Sequence, residues 1–399
     1  MKVGIEALGV AVPSTYLELS LLAEARGVPV GKYLEGLGTR RMAIALPDED
    51  TVTLAARAAK VALESSGTSP DAIGLLAVGT ETAVDHSKPV ASYVQGLLGV
   101  GRRCRVFETK HACYGGTAAL QLALDWIRSG SARGQKALVV CSDIARYGLH
   151  TPGEPTQGAG AVAMLLSDDP ALVELDAGKS GVCAIDVHDF WRPLYSKDAF
   201  VDGHYSVQCY LDALAGAYNH FKELEGDVAP PARFSDRFAA LAYHVPYGKM
   251  SKKAHRHLRL QDGDEAGDAS LERLVGPSLD LPSQVGNIYT GSLYLALASL
   301  LDKTQANLDG QKIGLFSYGS GSCAEFFQGT VTPGAQARVR ALGLQAMLDA
   351  RRALSLAEYE AVMTEREALD ERPLTPAPAD DFRFLGVDAH KRTYVAPRA

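Results

Sequence analysis

The stretch Val106-Phe-Glu-Thr-Lys-His-Ala-Cys113-Tyr-Gly-Gly-Thr-Ala-Ala-Leu-Gln-Leu-Ala-Leu124 reads as a short strand, a turn and a helix, with a cysteine and two glycines where the helix begins. Orphan backbone N–H groups and the positive end of the helix dipole meet at such a point, and both favour thiolate over thiol. Gly115 and Gly116 leave the backbone beside the sulfur bare, so that an acyl group has room to approach. Taken locally, the alternative is a small buried hydrophobe, the common fate of a free cysteine.

The surroundings repeat this layout. Val3 to Val12 alternates as a strand ended by Pro13, and apolar residues between Thr51 and Glu64 recur at helical spacing. Ile73 to Val78 is a buried-looking strand running into Gly79-Thr-Glu81. Lys136 to Cys141 is another, ending in Ser142-Asp143, and Tyr147 to Gly160 is a long loop before the strand Ala161 to Leu166. Loops of that length usually line a site or a contact between copies. Ligands collect at the carboxyl ends of strands in a doubly wound sheet, which would put Glu81 in the cleft with Cys113. Alone, Glu81 reads equally as a solvated loop carboxylate or a lysine's partner.

Residues 1–170 thus form one α/β half. Residues 171–235 read as an irregular insertion, and 236–399 as a second half. In that half Phe238 to Tyr243 ends in His244, Gly286-Asn287 leads into a helix from Ser292 to Leu301, and Lys312 to Phe316 runs into Ser317-Tyr-Gly-Ser-Gly-Ser322. The basic stretch Lys249, Lys252, Lys253, Arg256 and Arg259 follows His244. Ser355-Leu-Ala-Glu358 opens a late helix with a capping box.

Composition narrows the function. A chain of 399 residues, 47% hydrophobic, has the substance for a large core, and a formal charge of −7 without a compensating basic run argues against nucleic acid. The N-terminus does not read as a signal peptide, and no apolar run reaches about 18 residues, so no membrane partner is expected. The six scattered cysteines lack metal-ligand spacing, which predicts reduced thiols in a cytoplasmic protein and no metal.

A cysteine, a glutamate and a histidine at separate strand ends suit acyl transfer followed by carbon–carbon bond formation. The thiol takes an acyl group, the carboxylate removes a proton from its methyl carbon, and hydrogen-bond donors hold the enolate and its electrophile. A simple cysteine hydrolase has no need of the glutamate. Together the segments Gly79-Thr-Glu81, Cys113-Tyr-Gly-Gly-Thr117, Gly153 to Ala161, Asp189-Phe-Trp-Arg-Pro193, Val201-Asp-Gly203, His244-Val-Pro246, Gly286 to Ser292 and Ser317 to Gly321 resemble, in order, the 3-hydroxy-3-methylglutaryl (HMG) thioester synthases of the thiolase superfamily.

The resemblance implies a five-layered α-β-α-β-α thiolase-like fold of two similar halves, a homodimer, and no cofactor beyond thioester substrates on CoA or on the phosphopantetheine of an acyl carrier protein. It assigns Cys113 as acetyl acceptor and Glu81 as general base and acid. His244 and Asn287 would hold the β-ketoacyl acceptor, and the N–H groups of Cys113 and the Tyr318-Gly-Ser320 turn would form the oxyanion hole. Asp143, Tyr147, Tyr318 and Ser320 fall on site positions. Two branches compete: one makes HMG-CoA for mevalonate, the other adds β-branches to polyketides tethered on carrier proteins. The phrases around Phe107 to Gly116 and Ser320 to Phe327 look more like the second. A non-catalytic carrier-docking homologue is a third reading. Lys249, Lys252, Lys253 and Arg256 suit the phosphates of CoA, the acidic face of a carrier protein, or simply a solvated helix face.

Overall fold

The computed structural model describes residues 1–226, 233–265 and 267–398. In chain order the main elements of the first half are β1 (Gly4–Ala11), α1 (Thr51–Ser66), β2 (Ile73–Gly79), α2 (Val90–Leu98), β3 (Arg105–Thr109), α3 (Gly115–Arg128), β4 (Lys136–Ala145) and β5 (Gly158–Ser167). There follow β6 (Val173–Leu175), β7 (Gly181–Ala184), α4 (Gly203–Glu225), β8 (Ala240–Tyr243), α5 (Gly248–Gln261), α6 (Ser292–Lys303), β9 (Lys312–Gly319) and β10 (Cys323–Val331).

The strands form two five-stranded sheets that share a hydrogen-bonded seam. The first runs β3-β2-β4-β5-β1, and the second runs β8-β9-β10 with β6 and β7 along the far edge of β10. Short strand β6 pairs with β1 on one side and with β10 on the other. Helices α3 and α6 lie between the sheets, where Leu120, Ala123 and Leu124 meet Leu293, Leu297 and Leu300 in one core. Helices α1 and α2 cover the outer face of the first sheet, and α4 and α5 cover the outer face of the second. The order helix, sheet, helix, sheet, helix is the five-layered arrangement expected from the resemblance.

Local chemistry explains the main boundaries. In α1, Asp50 accepts from the Thr53 N–H while Thr53 returns a bond to the Asp50 N–H, and Gly67 closes the helix at φ +64°. Helix α6 is buried from Ser292 to Leu301, which requires an apolar sequence on every face and is what the chain supplies.

The structure departs from the sequence reading at several element boundaries, two of which bear on the site. The segment read as irregular contains the 23-residue helix α4, whose buried Tyr210, Ala213, Leu214, Ala217, Tyr218 and Phe221 lie on one helical face. Asp143 sits within β4, which continues to Ala145, rather than beyond its end. The capping box at Ser355 is present and opens the helix Leu356–Glu365. After it the chain folds back as a hairpin, Arg383–Asp388 with Lys391–Val395, clipped to the start of α1 by Arg392 and Tyr394 on Asp50 at 3.0 and 2.7 Å.

Candidate active site

Glycines bring the strand ends of the two halves together. A Cβ on Gly79, at the end of β2, would stand 2.4 Å from the Gly116 Cα, so the Glu81 turn lies directly on the first turn of α3. A Cβ on Gly319, at the end of β9, would meet the Tyr114 N at 2.5 Å, seating the second half on the cysteine turn. Gly158 lies as closely against the backbone of Asn287. The glycine beside the nucleophile therefore serves backbone packing: a Cβ on Gly116 would strike the Cys141 Sγ at 2.3 Å.

Cys113 and Glu81 meet in this junction, with the Cys113 Sγ donating to Glu81 Oε1 at 3.4 Å. Ala112, immediately before the cysteine, takes a left-handed φ of +37°, uncommon for a residue with a side chain. The expected helix-stabilised thiolate is not found. Helix α3 begins at Gly115, and burial, followed by the neighbouring Glu81 and Asp143 carboxyls, pushes the thiol well above its ordinary range. Glu81 is raised to about 8, first by burial and then by Asp143, while Arg192 and the Cys113 hydrogen bond pull it down. At neutral pH the resting pair is thus a thiol and a largely protonated carboxyl.

Asp143 does not line the cavity. It is fully buried, and it accepts from the Glu81 N–H at 2.9 Å, the Thr80 hydroxyl at 2.9 Å, the Thr82 hydroxyl at 2.8 Å and the Thr290 N–H at 3.1 Å. A carboxylate with that many donors ties the Glu81 turn to the turn before α6, so Asp143 holds the site's frame rather than a substrate.

The remaining residues line a cavity of about 380 Å³ that includes Cys113, Tyr147, His244, Asn287, Tyr318 and Ser320. His244 leaves the end of β8, its N–H donating to the Phe316 carbonyl at 2.7 Å and its carbonyl accepting from the Tyr210 hydroxyl at 2.9 Å. Burial pushes its imidazole down to about 3, so it is neutral at working pH. Asn287 Oδ1 accepts from the Tyr289 N–H at 2.9 Å and the Ser292 hydroxyl at 3.0 Å, which directs the amide nitrogen to the cavity side.

Three functional candidates carried no role in the sequence reading. Asp189, fully buried, accepts from the Tyr318 hydroxyl at 2.7 Å and the Gly321 N–H at 3.0 Å, fixing the turn that carries Ser320. Glu325 accepts from the Tyr114 hydroxyl at 2.8 Å beside the cysteine turn. Arg192 faces Glu81. All three partner residues distant in sequence; the colinear motif Asp189-Phe-Trp-Arg-Pro193 contains two of them, and the phrase Ser320 to Phe327 contains the third.

The basic residues fall elsewhere. Tyr247, preceding α5, and Met250, in its first turn, line the cavity, whereas Lys249, Lys252, Lys253 and Arg256 line a separate groove of about 310 Å³ along the same helix. Among the described residues no cluster of His, Cys, Asp and Glu could hold a metal ion, and no helix is long and apolar enough to cross a membrane.

A half-buried cysteine paired with a carboxyl between two layered α/β halves defines a thiol-dependent acyl-condensing enzyme of thiolase-like architecture. The chain matches the hydroxymethylglutaryl-coenzyme A synthase N-terminal model over residues 1–171 and the C-terminal model over 173–272 and 264–381. It is 41% identical to a hydroxymethylglutaryl-CoA synthase of Enterococcus faecalis, covering 92% of each chain. It is 38% identical to the polyketide biosynthesis 3-hydroxy-3-methylglutaryl-ACP synthase PksG of Bacillus subtilis, covering 90% of this chain and 87% of that one. Among solved structures it is similar to MvaS in complex with 3-hydroxy-3-methylglutaryl coenzyme A, at TM-score 0.92 and 49% identity over 100% of this chain and 99% of that one. It is also similar to the curacin pathway HMG synthase in complex with acetyl donor-ACP, at TM-score 0.92 and 34% identity over 99% of each. The chain belongs to the hydroxymethylglutaryl-CoA synthase family, enzymes that join acetyl units by a carbon–carbon bond and work on CoA or carrier-bound thioesters without a metal or redox cofactor.

Proposed function

We propose that this chain condenses a Cys113-bound acetyl group with a β-ketoacyl thioester and then hydrolyses the enzyme thioester to release an HMG-type product. The observation that carries this reading is the 3.4 Å contact of Cys113 Sγ with Glu81 Oε1 at a cavity holding a neutral His244. Cys113 displaces the donor thiol and becomes acetylated, its proton passing to the departing thiolate. Glu81, ionised, takes a methyl proton, and the enolate carbon attacks the acceptor ketone. His244 and the Asn287 amide polarise that ketone. The new alkoxide takes the proton back from Glu81, and water then cleaves the Cys113 thioester, leaving a carboxylate and a free thiol. The N–H groups of Cys113 and of the Tyr318-Gly-Ser320 turn serve as oxyanion donors, and Tyr147 and Tyr318 wall the acyl chain.

The work divides between halves at residues 1–170 and 236–399, joined by 171–235. Strand β3 is the open edge of the first sheet, and Leu194 and Tyr195 are each 88% exposed, which suits pairing with a second copy as a homodimer in the cytoplasm.

The donor is read in two ways. Acetyl-CoA, with acetoacetyl-CoA as acceptor, is supported by the 49% identity to the structure holding HMG-CoA. A donor carrier protein, as in polyketide β-branching, is supported by the similarity to PksG and to the curacin enzyme, and by the basic face of α5. Of the two, the CoA reading has the more similar relative. Offering labelled acetyl-CoA and acetyl carrier protein separately, and measuring the rate of Cys113 acylation, decides between them. Charge reversal of Lys252, Lys253 and Arg256 to Glu should slow loading by the true donor by roughly tenfold at low salt, an effect that fades as salt rises. Absence of any acyl-enzyme by mass spectrometry would favour a non-catalytic docking protein.

A further inference from the structure

Glu81 stands at the boundary of two cavities. On one side is the thioester cavity with Cys113. On the other is a chamber of about 450 Å³ whose walls include Glu81, Thr82, Ala112, Phe190, Trp191 and Arg192. Phe190 lines both. Its ring packs edge-on to Tyr147 and Tyr289 at 6.3 and 5.9 Å and forms the partition between them.

The segment 189–192 is pinned on the way to that wall. Asp189 is held by Tyr318 and the Gly321 N–H, Phe190 and Trp191 pair with Val201 and Phe200, and the Trp191 and Phe200 rings stack at 6.0 Å. Arg192 is therefore delivered by a fixed backbone to the chamber that the acid on which proton transfer depends also lines.

The other arginines of the chamber have commitments. Arg392 is bonded to Asp50 and Asp370, Arg366 donates to the carbonyls of Ala45, Leu46 and Glu49, and Arg146 lies 4.0 Å from Asp198. His86, Lys110 and Lys197 complete the basic lining. The groups that act on Glu81 itself are Cys113, Asp143, Arg192, Tyr147 and Tyr289, and among these Arg192 carries the positive charge.

We propose that Arg192 is a positioning residue for the condensation, acting on Glu81 from the chamber side, outside the cavity that holds the thioesters, to keep the carboxylate form within reach at neutral pH. Resting on the condensation reading above, this gives the two cavities separate tasks. One holds the reacting carbon atoms, and the other holds the charge that sets the proton inventory of the base. A cation on the acceptor side would itself compete for the enolate. On the chamber side it stabilises Glu81 without touching the acyl groups. The direction agrees with Arg192 opposing the upward pull of burial and of Asp143.

The test is the pH profile of condensation from acetyl-enzyme. Arg192→Gln removes the charge, so the acidic limb should move up by about one pH unit, with the loss of rate greatest near pH 7 and recovered at higher pH. Arg192→Lys, which keeps the charge, should leave the limb where the wild type has it. A rate loss of the same factor at every pH, or a limb displaced equally by Lys and Gln, assigns Arg192 a purely structural part and overturns the proposal. Acetyl stoichiometry by intact-protein mass, measured first, separates the two readings. A wild-type protein that never acetylates Cys113 refutes the condensation itself, whereas a wild type that condenses beside an Arg192→Gln variant with an unmoved limb refutes only Arg192. If Arg192→Gln does not load acetyl groups, the infrared carboxyl band of Glu81, recognised by its loss in Glu81→Gln, is titrated in that variant and in the wild type. The same shift is expected, and coincident titrations overturn the proposal.

Discussion

The two halves bring opposite kinds of chemistry to the same cavity. The first half supplies groups whose charge must change, Cys113 and Glu81, both raised by burial beside Asp143. The second half supplies groups that stay neutral: an imidazole pushed down to about 3, an amide fixed by two hydrogen bonds, and a tyrosine bonded to Asp189. An aldol step needs this asymmetry. Protons move beside the nucleophile, while the acceptor carbonyl is best met by fixed dipoles that require no reorganisation.

The sharpest way to break the comparison is Glu81→Gln, which keeps the shape and removes the proton carrier. We expect acetyl-enzyme to form and condensation to fall by about 10⁴-fold, read as acetylated protein by mass without product. The same variant reports on stability. The folded protein holds the Glu81 proton to about pH 8, whereas the unfolded chain releases it near the ordinary 4.5. Folding stability from this group is therefore present at low pH and lost as pH rises across that window. The Tm of wild type should drop relative to Glu81→Gln between pH 5 and 9, and a pH-independent difference would falsify the buried-acid assignment.

His244→Ala tests the neutral half. It should lower condensation by about 10²-fold with acetylation retained, and it should not move the acidic limb, because this imidazole does not charge above about pH 3. A shifted limb would mean that charge also moves in the second half. The smallest effect is expected from Gly79→Ala, which forces the Glu81 turn off the Gly116 backbone. It should cost about 1–3 kcal/mol in denaturant unfolding and slow condensation more than acetylation.

The alternation of strands and helices, the strand ends carrying Glu81, His244 and Tyr318, and the cysteine turn were legible because each is signalled within about fifteen residues. Helix α4 was not, although its apolar residues keep helical spacing. Gly216 in its middle reads as a breaker, and its reason lies on another element, since a Cβ there would stand 2.6 Å from the Cys183 Sγ of β7. The state of the thiol was misjudged for a related cause. A dipole argument sees only the helix that follows, while the burial and the two carboxyls that decide it arrive from other strands. Asp143 was picked out for the right neighbourhood and the wrong task, because its four donor residues, Thr80, Glu81, Thr82 and Thr290, span more than two hundred positions.

Three residues, Val173 to Leu175, are stitched to Gly4 and Ile5 along one edge and to Gly329, Thr330 and Val331 along the other. A cut on either side of them would expose raw sheet edge on both products, so the halves are not modules to be traded between relatives. New substrate preferences in this scaffold have to be written into its loops.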